Sequence, residues 1–155
     1  MEWSLHPQDR AAAHRLRHHI MACLTRIAAP GSDLSAAEIV VGELLSNAIA
    51  HTHSAAWVTL RWDGVHPLLS VADLGPGFGP AAHGGRHSVP DRGLRPRLPD
   101  DLLADGGRGL YLVSRLALDL AVAPRATGGS VVSVTLDLTR AADPATTSTA
   151  ATPHG

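Results

Sequence analysis

Glu43-Leu44-Leu45-Ser46-Asn47-Ala48-Ile49-Ala50-His51 concentrates the scarcest polar chemistry of the chain, because Asn47 is the only asparagine in 155 residues and Glu43 is one of three glutamates. Around it, residues 35–50 read as a helix, with apolar side chains at 40, 41, 44, 45 and 48. Ser35 stands as the expected N-cap, and Glu38 three places on completes a capping box. At about 100° per residue the solvent arc collects Glu38, Gly42 and Ser46, whereas Glu43 and Asn47 fall among Ile39, Val40, Leu44 and Ala50. Both polar groups are therefore expected to point inward. A carboxylate held against apolar surface is costly without partners, so a bound group or a structural hydrogen bond must satisfy it there.

The length suits one domain, and 45% hydrophobic residues are enough to close a single core. Thirteen basic and fourteen acidic side chains give a net charge of -1, which offers no electrostatic footprint for nucleic acid or an anionic membrane. Every basic residue is arginine. Without a lysine, a Walker A phosphate loop and a Schiff-base mechanism are both excluded. Cys23 is the single cysteine and reads as a small core residue, so no disulfide or cysteine zinc cluster is available within the chain. No stretch approaches the ~20 apolar residues of a membrane span, and a cytoplasmic location is expected.

The rest of the chain alternates helix and strand signals. Residues 2–5 suit a short edge strand, and residues 8–28 an amphipathic helix with Leu16, Ile20, Cys23, Leu24 and Ile27 on one side. His14 and His18 in that helix stand at i, i+4 with His19 following; lacking an acid or third ligand at a matching spacing, they read as part of a solvated face. Pro30-Gly31-Ser32 breaks the chain. Residues 57–62 and 68–72, joined by Asp63-Gly64, read as two antiparallel strands, the second more central. Residues 110–116 suit a third helix, and residues 118–123 and 131–138 a hairpin around Gly128-Gly129. A Gly-, Pro- and Arg-rich segment at about 78–106 reads as a lid loop. The expected organisation is one domain over residues 1–139 and a disordered Ala/Thr/Pro-rich tail over 140–155.

Two glycine motifs complete the pattern. Asp73-Leu74-Gly75-Pro76-Gly77 places a lone carboxylate beside glycines at a strand end, where backbone can approach a flat ligand. Gly107-Arg108-Gly109-Leu110 opens a helix, where bare backbone amides suit a phosphate. Each alone is as compatible with an ordinary turn or helix start. In this order, Glu43-x-x-x-Asn47, Asp73-x-Gly75-x-Gly77, a long loop and Gly107-x-Gly109-Leu110 resemble the GHKL (histidine kinase-like) ATPase superfamily. Within it the chain looks most like the anti-sigma factor serine/threonine kinases of the RsbW/SpoIIAB kind, over about residues 8–138.

The resemblance implies an α+β fold, a two-layer sandwich with a mixed, mostly antiparallel sheet and about three helices on one face. It implies ATP and Mg²⁺ as cofactors, with Asn47 on the metal, Asp73 on the adenine amine, Gly75 and Gly77 beside the purine, and Gly107, Arg108, Gly109 and Leu110 at the phosphates. Ser130 lies where relatives place a residue facing adenine, Glu43 would act as general base, and His51 would orient the site or serve structure. The implied partners are a sigma factor and a STAS-domain anti-anti-sigma protein, with a homodimer among relatives. A regulator that binds nucleotide and sequesters a partner without phosphotransfer is the alternative. The chain shows no phosphoacceptor histidine box, which speaks against a complete histidine kinase.

Overall fold

The computed structural model describes residues 1–6, 9–51, 55–74, 108–125 and 128–141. In chain order these form β1 (Glu2–Leu5), α1 (Arg10–Ile27), α2 (Leu34–His51), β2 (Ala56–Arg61), β3 (Leu68–Ala72), α3 (Arg108–Leu116), β4 (Ala117–Pro124) and β5 (Ser130–Leu136). The five strands make one sheet in the order β1-β2-β3-β5-β4, and every pairing among them is antiparallel. This is the α+β architecture expected, at the antiparallel end of its range.

Strand periodicity sets the two layers. In β2, Ala56, Val58 and Leu60 are buried and alternate with half-buried Trp57 and Thr59; in β5, Ser130, Val132, Val134 and Leu136 alternate in the same way. Register puts Val58 opposite Val71 and Val71 opposite Val132, so these apolar side chains share one face. The helices cover that face: Leu16, Ile20 and Leu24 of α1, Val40, Val41, Leu44 and Leu45 of α2, and Val113 of α3 join it in a single core. Each fully buried leucine in that core contributes roughly 2 kcal/mol. β3 takes the central position, as its more uniformly apolar run predicts. At β4 a register shift between Ala117 and Asp119 breaks the alternation, and Leu118 emerges at 50% exposure.

The start of α2 differs from expectation. Asp33, not Ser35, caps the helix: its Oδ1 accepts from the backbone N–H groups of Ser35 (3.0 Å) and Ala36 (3.1 Å). Glu38 makes no capping box, because with Asp33 as cap the third helical position is Ala36; Arg17 of α1 instead donates to Glu38 at 2.8 Å and ties the two helices together. Gly42 sits under that arginine; a Cβ there would lie 3.7 Å from the guanidinium carbon. The polar face of α2 is thus partly covered by α1. Of the arc expected to face inward, Val40 and Leu44 are buried in the core, Glu43 and Asn47 are half-buried at its edge, and Ile39 and Ala50 are exposed.

Near the C-terminal end, residues 139–141 bind back to the end of α1. Ala29 N–H donates to the Thr139 carbonyl at 2.8 Å, and Ala141 N–H to that of Ile27 at 2.9 Å. Residues 140 and 141 therefore pair with the domain, while the remainder of the expected tail and the expected lid at 78–106 lie outside the described residues. Among the described residues no helix is long and apolar enough to cross a membrane.

Candidate functional site

Two clusters carry the polar residues singled out in the sequence. The first lies between α2 and α3. Glu43 and Asn47 are one turn apart, so their side chains leave α2 on the same side. The first turn of α3 meets them there. A Cβ built on Gly109 would overlap Glu43 Oε2 and stand 3.4 Å from Asn47 Nδ2. Glycine at 109 leaves room for the tip of the Glu43 side chain, which a Cβ there would force to move. The first-turn amides of α3, which have no partner within the helix, thus lie beside a carboxylate and a carboxamide. Leu110 packs partly buried against the core and Val113 is fully buried, which anchors the helix that presents those amides.

The second cluster joins the end of β3 to the β4–β5 turn. Ser130 is buried at 3% exposure, and its hydroxyl donates to Asp73 Oδ2 at 2.8 Å. The Asp73 N–H in turn donates to the Ser130 carbonyl at 3.0 Å. Gly129, at φ +83°, packs against the same backbone; a Cβ on it would run into Asp73 and come within 2.8 Å of Leu74 Cα. Both the left-handed conformation and the contact demand glycine. The turn is closed by Arg125, whose N–H donates to the Gly129 carbonyl at 3.1 Å and accepts in return from Gly128 N–H at its own carbonyl. The Arg125 guanidinium lies 5.5 Å from the centre of the Trp57 ring, a contact worth about 0.5–1 kcal/mol.

The structure thus brings Glu43, Asn47, Gly109 and Leu110 to one place and Asp73 and Ser130 to another. Gly75, Gly77 and Gly107 lie outside the described residues. Arg108 opens α3 and His51 closes α2, but their side chains lie outside the described structure too. Sequence reasoning missed Gly129 as part of the Asp73 cluster, having read Gly128-Gly129 only as a turn. The available signal was the serine that follows them, which the resemblance puts at the adenine, as it does Asp73.

The donors suit a hard divalent cation, since Asn47 offers an amide oxygen and Glu43 a carboxylate, with no thiolate or imidazole between them. The Asn47 carboxamide faces Gly109. Cavities of about 380 and 370 Å³ lie elsewhere, one between β1 and α1 and the other beside the α1–α2 turn. Neither includes a residue of the two clusters.

Comparison with known proteins bears on the family and the fold. A family model for the histidine kinase-like ATPase domain matches residues 6–136. The crystal structure of full-length ShkA in complex with AMPPNP is similar in fold, with a TM-score of 0.53 and 22% identity over 85% of this chain. This chain spans 30% of that protein. The mycobacterial sensor histidine kinase MprB superposes at a TM-score of 0.49 with 21% identity, over 90% of this chain and 99% of that one. No curated protein matches the chain.

Proposed function

The chain belongs to the histidine kinase-like ATPase family, and on that premise we propose that it binds Mg-ATP and transfers the γ-phosphoryl group to a serine or threonine hydroxyl of a partner protein. The observation that carries the reading is the contact of Gly109 with both Glu43 and Asn47, which sets a candidate base, a metal-type oxygen donor and a helix N-terminus side by side.

Each residue has a part. The Asp73 carboxylate, held by the Ser130 hydroxyl, accepts a hydrogen bond from the exocyclic amine of adenine. Guanine would oppose it with a carbonyl oxygen, so the contact selects adenine. The amides at the start of α3 bind phosphate oxygens, and the absence of a side chain at Gly109 lets them come close. Asn47 Oδ1 would hold Mg²⁺, which neutralises charge on the phosphates when bound. Glu43 takes the proton from the attacking hydroxyl as its oxygen bonds to the γ-phosphorus and the bond to the β–γ bridging oxygen breaks, releasing ADP. Most of the acceleration in such a transfer comes from positioning and charge neutralisation, which asks little covalent chemistry of the protein.

The partner is a STAS-type anti-anti-sigma protein carrying the acceptor hydroxyl, and the chain also acts as a switch by binding a sigma factor. This rests on the resemblance of Glu-Leu-Leu-Ser-Asn-Ala and Gly-Gly-Arg-Gly-Leu-Tyr-Leu-Val to the anti-sigma kinases. The test is a phosphotransfer assay with γ-labelled ATP against candidate STAS proteins, with Glu43→Gln as control. Label on a serine or threonine that disappears in Glu43→Gln supports the kinase. Binding of Mg-ATP with no labelled partner, and partner regulation intact in Glu43→Gln, would instead establish a nucleotide-sensing regulator.

A further inference from the structure

The outer face of α1 carries chemistry that the nucleotide site does not use. His14 and His18 lie one turn apart and both are exposed. Their Nε2 atoms stand 3.0 Å from each other, and the rings meet edge to face with centroids 4.4 Å apart and planes at 82°. The helix beneath them is held firmly, since Ala13, Leu16, Ile20, Cys23 and Leu24 on its inner face are buried. His19 is separate, lying edge-on to Trp3 with centroids 5.6 Å apart.

We propose that His14 and His18 form a two-histidine chelate for Cu²⁺ or Ni²⁺. Two imidazoles at i, i+4 on a rigid helix converge on one ion, the second ligand binding at high effective concentration once the first is engaged. In the structure the 3.0 Å contact is a hydrogen bond between the two rings, which metal binding replaces by two metal–nitrogen bonds. Imidazole suits both ions, and at a given nitrogen site affinity rises through Ni²⁺ to Cu²⁺ and falls again at Zn²⁺. Charge nearby is manageable: Arg15 pairs with Asp9 at 3.3 Å and Arg17 with Glu38 at 2.8 Å, so the arginines of these turns each face a carboxylate. Among the described residues no group of three or more metal-ligating side chains occurs, so water completes the coordination of this open site.

The site is remote from the candidate nucleotide site. α1 meets α2 through Arg17, Glu38 and Gly42, whereas Gly109 of α3 meets α2 at Glu43 and Asn47. Metal binding therefore needs no nucleotide.

The experiment uses the full chain, freed of any affinity tag, in a buffer that does not chelate metals. Calorimetric titration with Ni²⁺ and Cu²⁺, and the Cu²⁺ electron paramagnetic resonance spectrum, are compared in wild type, His14→Ala, His18→Ala, the double variant and His19→Ala. The expected result is one equivalent bound in wild type, with hyperfine coupling to two imidazole nitrogens. Affinity falls roughly tenfold or more in either single variant, falls little further in the double variant, and is unchanged in His19→Ala. Equal affinity in wild type and both single variants would overturn the proposal, as would Zn²⁺ binding more tightly than Ni²⁺. Circular dichroism checks that the variants, changed only at exposed positions, keep the fold.

Discussion

Glu43 and Asp73 are both half-buried carboxylates at the margin of one core, and the protein treats them in opposite ways. Asp73 is held from several sides: the Ser130 hydroxyl donates to it, its own N–H is bound to the Ser130 carbonyl, and Gly129 packs against its backbone. Glu43 has Asn47 and Gly109 for neighbours, and no hydrogen bond to its carboxylate is found among the described residues. A group that only recognises a ligand can be locked in advance, because its geometry is the same before and after binding. A group that must accept a proton gains from remaining available to the incoming hydroxyl. In the proposed function, the Asp73 cluster is the preorganised half of the site and the Glu43 cluster is the half that the nucleotide and partner complete.

Four substitutions probe that contrast, beginning with the largest effect. Glu43→Gln should lower phosphotransfer by roughly 10²–10⁴-fold while leaving the midpoint of urea unfolding in place, because it removes a base and, among the described residues, no hydrogen bond to its carboxylate. A fall in stability comparable to that of the Asp73-cluster variants would break the comparison. Gly129→Ala should cost about 3 kcal/mol of folding stability, since it adds a left-handed residue and drives a Cβ into the Asp73 backbone. Chemical denaturation measures this, and a loss below roughly 1 kcal/mol would show that the turn relaxes freely.

Ser130→Ala comes next. It removes the donor to Asp73 Oδ2 and should destabilise by about 2 kcal/mol, with weaker binding of a fluorescent ATP analogue in the same variant. Unaltered nucleotide affinity would separate the Ser130–Asp73 bond from recognition. The smallest effect on folding is expected for Gly109→Ala. Its Cβ would meet the far end of the Glu43 side chain, which can rotate away, so stability should change by about 1 kcal/mol or less. Phosphotransfer should fall far more than stability, because the displaced group is the proposed base. Equal losses in both would mark Gly109 as a packing residue only.

Much of the layout could be read before the fold was known. Period-two runs identified β2 and β5, and the apolar positions 40, 41, 44, 45 and 48 of α2 are buried as their spacing predicts. The cap of α2 could not be read so easily, because Asp33 and Ser35 are both good caps and Glu38, three places after Ser35, favours the latter; in the structure Asp33 caps and Glu38 pairs with Arg17. The inward arc is only partly buried for a related reason: a helical wheel places Glu43 and Asn47 relative to the apolar stripe but does not say where α3 will end the core.

Sequence by itself determined the local elements and the candidate residues, because hydrophobic spacing and turn chemistry act over a few neighbouring positions. Only tertiary structure decided which groups meet. Asp73 and Ser130 are 57 residues apart, and Gly109 approaches Glu43 from a different helix. Such contacts arise when strands pair in register and helices pack over them, and it is that packing which leaves Asp73 bound within the fold and Glu43 at its open edge.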